Sequence, residues 1–171
     1  KNISMRNIVN EAIWFDMYYM TRATSALGEK TVFPPVTEGT PQFRNFYVNN
    51  VVCNGAAKAI MVRGLPEMSI KGIHLENMTI KANNGVDLIE ASDISLKNVT
   101  LDIKNPKQLI NIENSKGITL DHIKSISPTD VFVSVNGDRS NGISLTNTIT
   151  TSAKAPSEFK FGADSKALVI K

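Results

Sequence analysis

Apolar and polar residues alternate along this chain in short bursts, and the bursts end alike. In the stretch SIKGIHLENMTIKANNG, Ser69 to Gly85, the pattern is Ile73-x-Leu75-x-Asn77-Met78. The same phrase occurs as Ile3-x-Met5-x-Asn7-Ile8, Phe46-x-Val48-x-Asn50-Val51 and Ile94-x-Leu96-x-Asn98-Val99. Two looser copies follow, Ile118-x-Leu120-x-His122-Ile123 and Ile143-x-Leu145-x-Asn147-Thr148. First positions are separated by 43, 27, 21, 24 and 25 residues. The last four spacings read as one period with variable loops, and the first as one period plus an insertion.

Alternation with period two puts one face of a strand into a core and the other into solvent. After each Asn the alternation changes step, as it must at a bend. Asn tolerates left-handed backbone angles and bonds to neighbouring backbone groups, so it suits a corner. Stacked coils would set these Asn side chains in a row about 4.8 Å apart. A second apolar cluster follows at mid-period: Ile60 and Val62, Val86 and Leu88, Ile110 and Ile112, then Val131, Val133 and Val135. Each period therefore predicts two or three short strands, with little helical periodicity between them.

A leucine-rich repeat would need more Leu and an outer helix. The expected fold is all-β, a right-handed parallel β-helix of about six coils in one domain over residues 1–171. Residues 20–42 carry Pro34-Pro35 and many Thr and Gly, and read as a loop thrown out from one coil. Such a loop either walls a binding groove or is a surface excursion without function. Residues 148–171 read as a tapering C-terminal cap. The first coil would present Ile3, Met5, Ile13 and Phe15 at an open edge, so further coils are expected upstream, and the chain alone is expected to self-associate through that end or to be marginally stable.

Composition changes this picture little. The 171 residues carry a formal net charge of +3, with basic and acidic residues interspersed. That pattern gives no support to nucleic-acid binding, and no apolar run reaches the roughly 20 residues of a membrane span. Cys53 is alone and reads as a buried apolar residue.

Candidate chemistry is sparse. No metal site is expected: His74 falls on an outer strand face and His122 at an Asn corner, with no third ligand. The outer slots of successive phrases hold Glu76, Lys97 and Asp121, whose alternating signs suit a surface ladder better than an acid–base pair. Glu90 and Asp93 flank a turn and read as solvated. The run EAIWFDMYYM concentrates Trp14, Phe15, Tyr18 and Tyr19 before the long loop. Trp14 and Phe15 are expected in or beside the core. Tyr18 and Tyr19 are placed equally well in packing or at a groove edge, where an aromatic ring stacks on sugars.

These residues carry a resemblance. The run NISMRNIVNEAIWFDMYY, the stretch from Thr40 to Gly85, and above all the Gly64-Leu65-Pro66-Glu67 turn before an Ile-x-x-Ile-x-Leu-x-Asn strand resemble the C-terminal coils of polygalacturonase-type glycoside hydrolases (family 28), Bacteroides-type members most closely. The resemblance implies a parallel β-helix that is secreted or periplasmic. It implies inverting hydrolysis of galacturonan or rhamnogalacturonan in pectin by three Asp residues, without a cofactor. The family motifs for that work, Asn-Thr-Asp, Asp-Asp, His-Gly and Arg-Ile-Lys, have no counterpart here: Pro128-Thr129-Asp130 and Ser69-Ile70-Lys71 each depart from them. Only Tyr19 matches a family position, a tyrosine lining the substrate subsites, with Asp16 three residues before it in a structural or functional role. The expectation is the C-terminal part of a pectin-degrading hydrolase that alone lacks the catalytic aspartates. The rivals are a non-catalytic carbohydrate-binding β-helix and a structural stalk.

Overall fold

The computed structural model describes residues 2–18, 33–105 and 107–171. They form a right-handed parallel β-helix of about five turns. Eleven strands follow one another: β1 (Ile3–Asp16), β2 (Arg44–Arg63), β3 (Ile70–Ala82), β4 (Asn84–Ile89), β5 (Ala91–Ile103), β6 (Gln108–Glu113), β7 (Lys116–Ser125), β8 (Thr129–Asn136), β9 (Asn141–Thr146), β10 (Ala153–Lys160) and β11 (Leu168–Ile170). Every strand pairing is parallel, and long strands bend through corners so that each turn shows three faces.

The repeated phrase lies on the first face. Its apolar positions stack like on like, Phe46 on Ile73, then Ile94, Ile118 and Ile143, with Val48, Leu75, Leu96, Leu120 and Leu145 beside them. From Ile73 onward these side chains are buried, because each rung covers the next. The second face adds Val51, Cys53, Met78, Ile80, Val99 and Leu101 to the same core. The third face adds the mid-period residues, Ile60 and Val62 through Val133 and Val135.

Between the first and second faces the turn takes a single residue with positive φ: Asn50 (56°), Asn77 (55°), Asn98 (53°) and His122 (51°). The Asn side chains form a ladder, Asn77 Nδ2 donating to Asn50 Oδ1 at 3.3 Å and Asn98 Nδ2 to Asn77 Oδ1 at 2.7 Å. His122 keeps the backbone geometry but leaves the ladder, its Nδ1 lying 3.0 Å from Asp121 Oδ2.

One register differs from expectation. The first copy of the phrase is not stacked on the second: Ile3 pairs with Val51 and Met5 with Cys53, so it lies on the second face. Its Asn7 turns a different corner, against Gly55. An identical local pattern serves either corner, since both need an apolar strand followed by a left-handed residue. Five copies of the phrase therefore stack on the first face and one on the second. At the other end, residues 148–171 add a further partial turn: β10 continues the third face and β11 the first. In place of a second-face strand, Thr148 Oγ1 accepts from Ile123 N at 3.0 Å.

Candidate functional site

The outer surface of the third face carries ion-paired side chains, among them Asp16 with Arg63 and Glu158 with Lys160. Its strands are edged by the connections that vary most in length. On one side these are 17–43, 64–69, Glu90 alone, 114–115, 137–140 and 161–167; on the other, Asn83 alone, 104–107, 126–128 and 147–152. Two outward columns follow from the registers. The first is Trp14, Met61, Asp87, Asn111, Ser134 and Glu158; the second is Asp16, Arg63, Ile89, Glu113, Asn136 and Lys160.

Beside these columns, along the edge where Lys104 and Lys107 lie, runs an open groove of about 1120 Å³, which Asp87, Glu158 and Lys160 of the columns also line. The columns next to it are tied together internally. Ser134 Oγ donates to Glu158 Oε1 at 2.8 Å, and Asn136 Nδ2 donates to Asn111 Oδ1 at 2.7 Å and to Ser134 Oγ at 3.1 Å. Gly85 lies in the floor because a Cβ there would meet the Leu109 carbonyl oxygen at 2.0 Å.

The groove's carboxylates are all committed to ammonium groups. Asp87 is paired with Lys58, Glu158 with Lys160 at 2.8 Å, and Asp130 with Lys154 at 2.7 Å. The Lys160 contact holds the Glu158 carboxyl below the usual range, while burial pushes the Lys58 ammonium down. Lys104 and Lys107 also line the groove and have no ion-pair partner among the described residues. Its uncommitted charge is therefore positive.

At the end of the third face a second cluster forms. Asp16 accepts from Arg63 Nε at 3.0 Å, again from Arg63 Nη2, from the Tyr18 backbone N at 2.9 Å and from Trp14 Nε1 at 3.3 Å. Burial acts against the Asp16 charge, but these donors win and its pKa falls below the usual value. The Arg63 guanidinium lies over the Tyr18 ring, 5.1 Å from its centroid. Burial, with the carboxylates of Glu67 and Glu90 nearby, pushes the Tyr18 hydroxyl above the ordinary tyrosine range.

Glu90 corrects the expectation of a solvated turn carboxylate. It is 3% exposed, accepts from Asn114 Nδ2 at 3.1 Å and is paired with Arg139, which reaches it across two coils. Its Oε2 is buried without a hydrogen-bond partner. Burial outweighs those donors and raises its pKa. Arg139 also covers the Phe33 ring at 4.9 Å. Asp93 is exposed, as expected.

The other sequence candidates separate. Trp14 faces out at 56% exposure, against the expectation that it packs in or beside the core. Phe15 points inward and packs on Phe46 at 5.0 Å. Tyr19 lies outside the described residues, one position beyond Tyr18. Glu76, Lys97 and Asp121 do stack in one outward row of the first face, Lys97 Nζ lying 3.8 Å from Glu76. His74 stacks on Tyr47 at 4.7 Å and shares a 2.9 Å hydrogen bond with Ser95, far from the His122 corner. Among the described residues no group of three or more His, Cys, Asp or Glu side chains could hold a metal ion.

Sequence reasoning missed the groove because it tested carboxylates only in the outer slots of the repeated phrase. The mid-period strands hold the polar outer column instead, alternating with the buried Val and Ile that were recognised. No protein-family model, curated protein or solved structure matches the chain.

Proposed function

We propose that this chain supplies the C-terminal coils of a secreted or periplasmic pectin-degrading glycoside hydrolase, an inverting polygalacturonase or rhamnogalacturonan hydrolase, and that its own part is to bind the acidic polysaccharide. The observation that carries the reading is the groove on the third face, where every carboxylate is matched by a lysine and Lys104 and Lys107 remain over. A polymer of uronates presents carboxylates and hydroxyls at regular intervals, which suits a long groove of ammonium and amide groups. The resemblance, which makes Tyr19 a subsite residue with Asp16 nearby in sequence, supports the same reading, and Asp16 itself stands in the second outward column of that face. The family's catalytic motifs are absent from this sequence, so hydrolysis belongs to residues outside it. The alternative of a carbohydrate-binding β-helix without catalysis is favoured by one feature: the carboxylates lining the groove, Asp87, Asp130 and Glu158, are all held in ion pairs with lysines.

Calorimetry with hexagalacturonate and a neutral hexasaccharide of galactose tests the reading. Preference for the acidic oligomer is expected, weakening with salt as exposed charges are screened. Lys104→Glu with Lys107→Glu should lower affinity about tenfold or more. Equal binding of both sugars, or an unaffected double variant, overturns the assignment of the groove. Incubated with polygalacturonate, the purified chain is expected to release no reducing ends; depolymerisation would overturn the division of labour.

A further inference from the structure

We infer that Trp14 is a sugar-stacking residue, the aromatic end of the polysaccharide track on the third face. The inference rests on the proposed reading of that face as carbohydrate-binding and adds a specificity-determining contact to it.

Three observations converge. First, the register of β1 on β2 turns Ile13 and Phe15 toward the core and Trp14 outward, at the head of the column that continues through Met61 and Asp87 into the groove. Most outward positions of this face are polar, and Trp14 with Met61 makes a short apolar patch beside them. Secondly, Trp14 is 56% exposed, so more than half of a large aromatic side chain remains in water. A pyranose has one face of C–H groups and a rim of hydroxyls, and the flat, amphipathic indole complements such a face. Thirdly, the indole is held in place. Its Nε1 donates to Asp16 Oδ2 at 3.3 Å, and Asp16 is itself fixed by two bonds from Arg63 and one from the Tyr18 backbone. A side chain ordered before the ligand arrives loses little freedom on binding.

The track then has two unlike ends. At Trp14 it reads the carbon skeleton of a sugar, which neutral and acidic sugars share. Near Lys104 and Lys107, three rungs or about 14 Å along the axis, it reads charge. A ligand must span several sugar units to use both, so chain length enters the specificity.

Trp14 is the single tryptophan of the sequence, which makes the intact chain its own reporter. Titration with hexagalacturonate should shift the Trp14 emission to shorter wavelength and shield it from acrylamide quenching. By calorimetry, Trp14→Ala should weaken hexagalacturonate binding about tenfold or more, and Trp14→Phe should stay within about threefold of the parent. Binding that leaves emission, quenching and the Trp14→Ala affinity unchanged overturns the stacking role while the lysine-dependent groove stands. Failure of the parent chain to bind hexagalacturonate at all overturns both. The emission and quenching measurements use the unaltered protein, so they do not depend on how a variant folds.

Discussion

A carboxylate taken out of water costs free energy unless a cation and hydrogen-bond donors meet it, and Glu90 meets Arg139 and Asn114. Breaking a fully buried pair costs about 3–5 kcal/mol; Arg139 is 31% exposed, so Glu90→Ala should cost about 2–3 kcal/mol. The exposed Glu76 pair with Lys97 is the control, and Glu76→Ala should change stability by less than about 0.5 kcal/mol in urea denaturation. Glu90 also gives stability a pH dependence. Its pKa is raised on folding, so the folded chain holds that proton more tightly than the unfolded one. The group's contribution is most favourable in acid and declines as pH rises from the ordinary glutamate value through the raised one. Glu90→Gln should remove that decline, read as urea midpoints from pH 4 to 7. Asp121 behaves oppositely. The amide of Asn147, then His122 and Thr146, lower its pKa to about 2, and a carboxyl carbon titration by NMR should find it charged down to that pH.

At the scale of strands and corners, one residue type meets two demands. Asn accepts a positive φ and also bonds to the Asn of the next coil. Asn77→Ala loses both features and should cost about 2 kcal/mol, whereas Asn77→Gly keeps the backbone freedom and should cost about half as much. Matching thermal denaturation curves for the two variants would show that the backbone angle matters little there. The same demands explain what could be read in the sequence. Ile73, Leu75 and Asn77 announced strand, core side and corner, because each property is local. The face on which the first copy lies was not local: Ile3-x-Met5-x-Asn7 is as good a strand and corner on the second face as on the first. Burial of Glu90 was equally hidden, since its partner Arg139 is 49 residues away and comes near only through coiling. The groove was half legible, its buried Val and Ile being recognised while the polar residues alternating with them were passed over.

Across the whole molecule, each interior rung shares hydrogen bonds with a rung on either side, and stability is a sum of such neighbour terms. Amide exchange should therefore be slowest in β5 and β7, which are paired on both sides, and fastest in β1 and β11, each of which has one pairing partner among the described strands. Uniform protection from β1 to β11 would instead mean a single cooperative unit. The coils are also held lengthwise by Arg139, which spans from the 137–140 connection to Glu90 and to the Pro66 carbonyl oxygen at 3.5 Å.

The one-residue corner beside the first face and the variable connections beside the third divide the chain into what must be kept and what can be rewritten. Wherever Asn77 or Asn98 turns the chain, one inserted residue would exchange inside for outside in the strand that follows. The connections at 104–107 and 126–128 already differ in length without disturbing the rungs. Sequence added there lengthens the banks of the groove and leaves its bed unchanged. A lineage of such proteins could therefore acquire new ligands by editing punctuation alone, with the grammar of the solenoid intact.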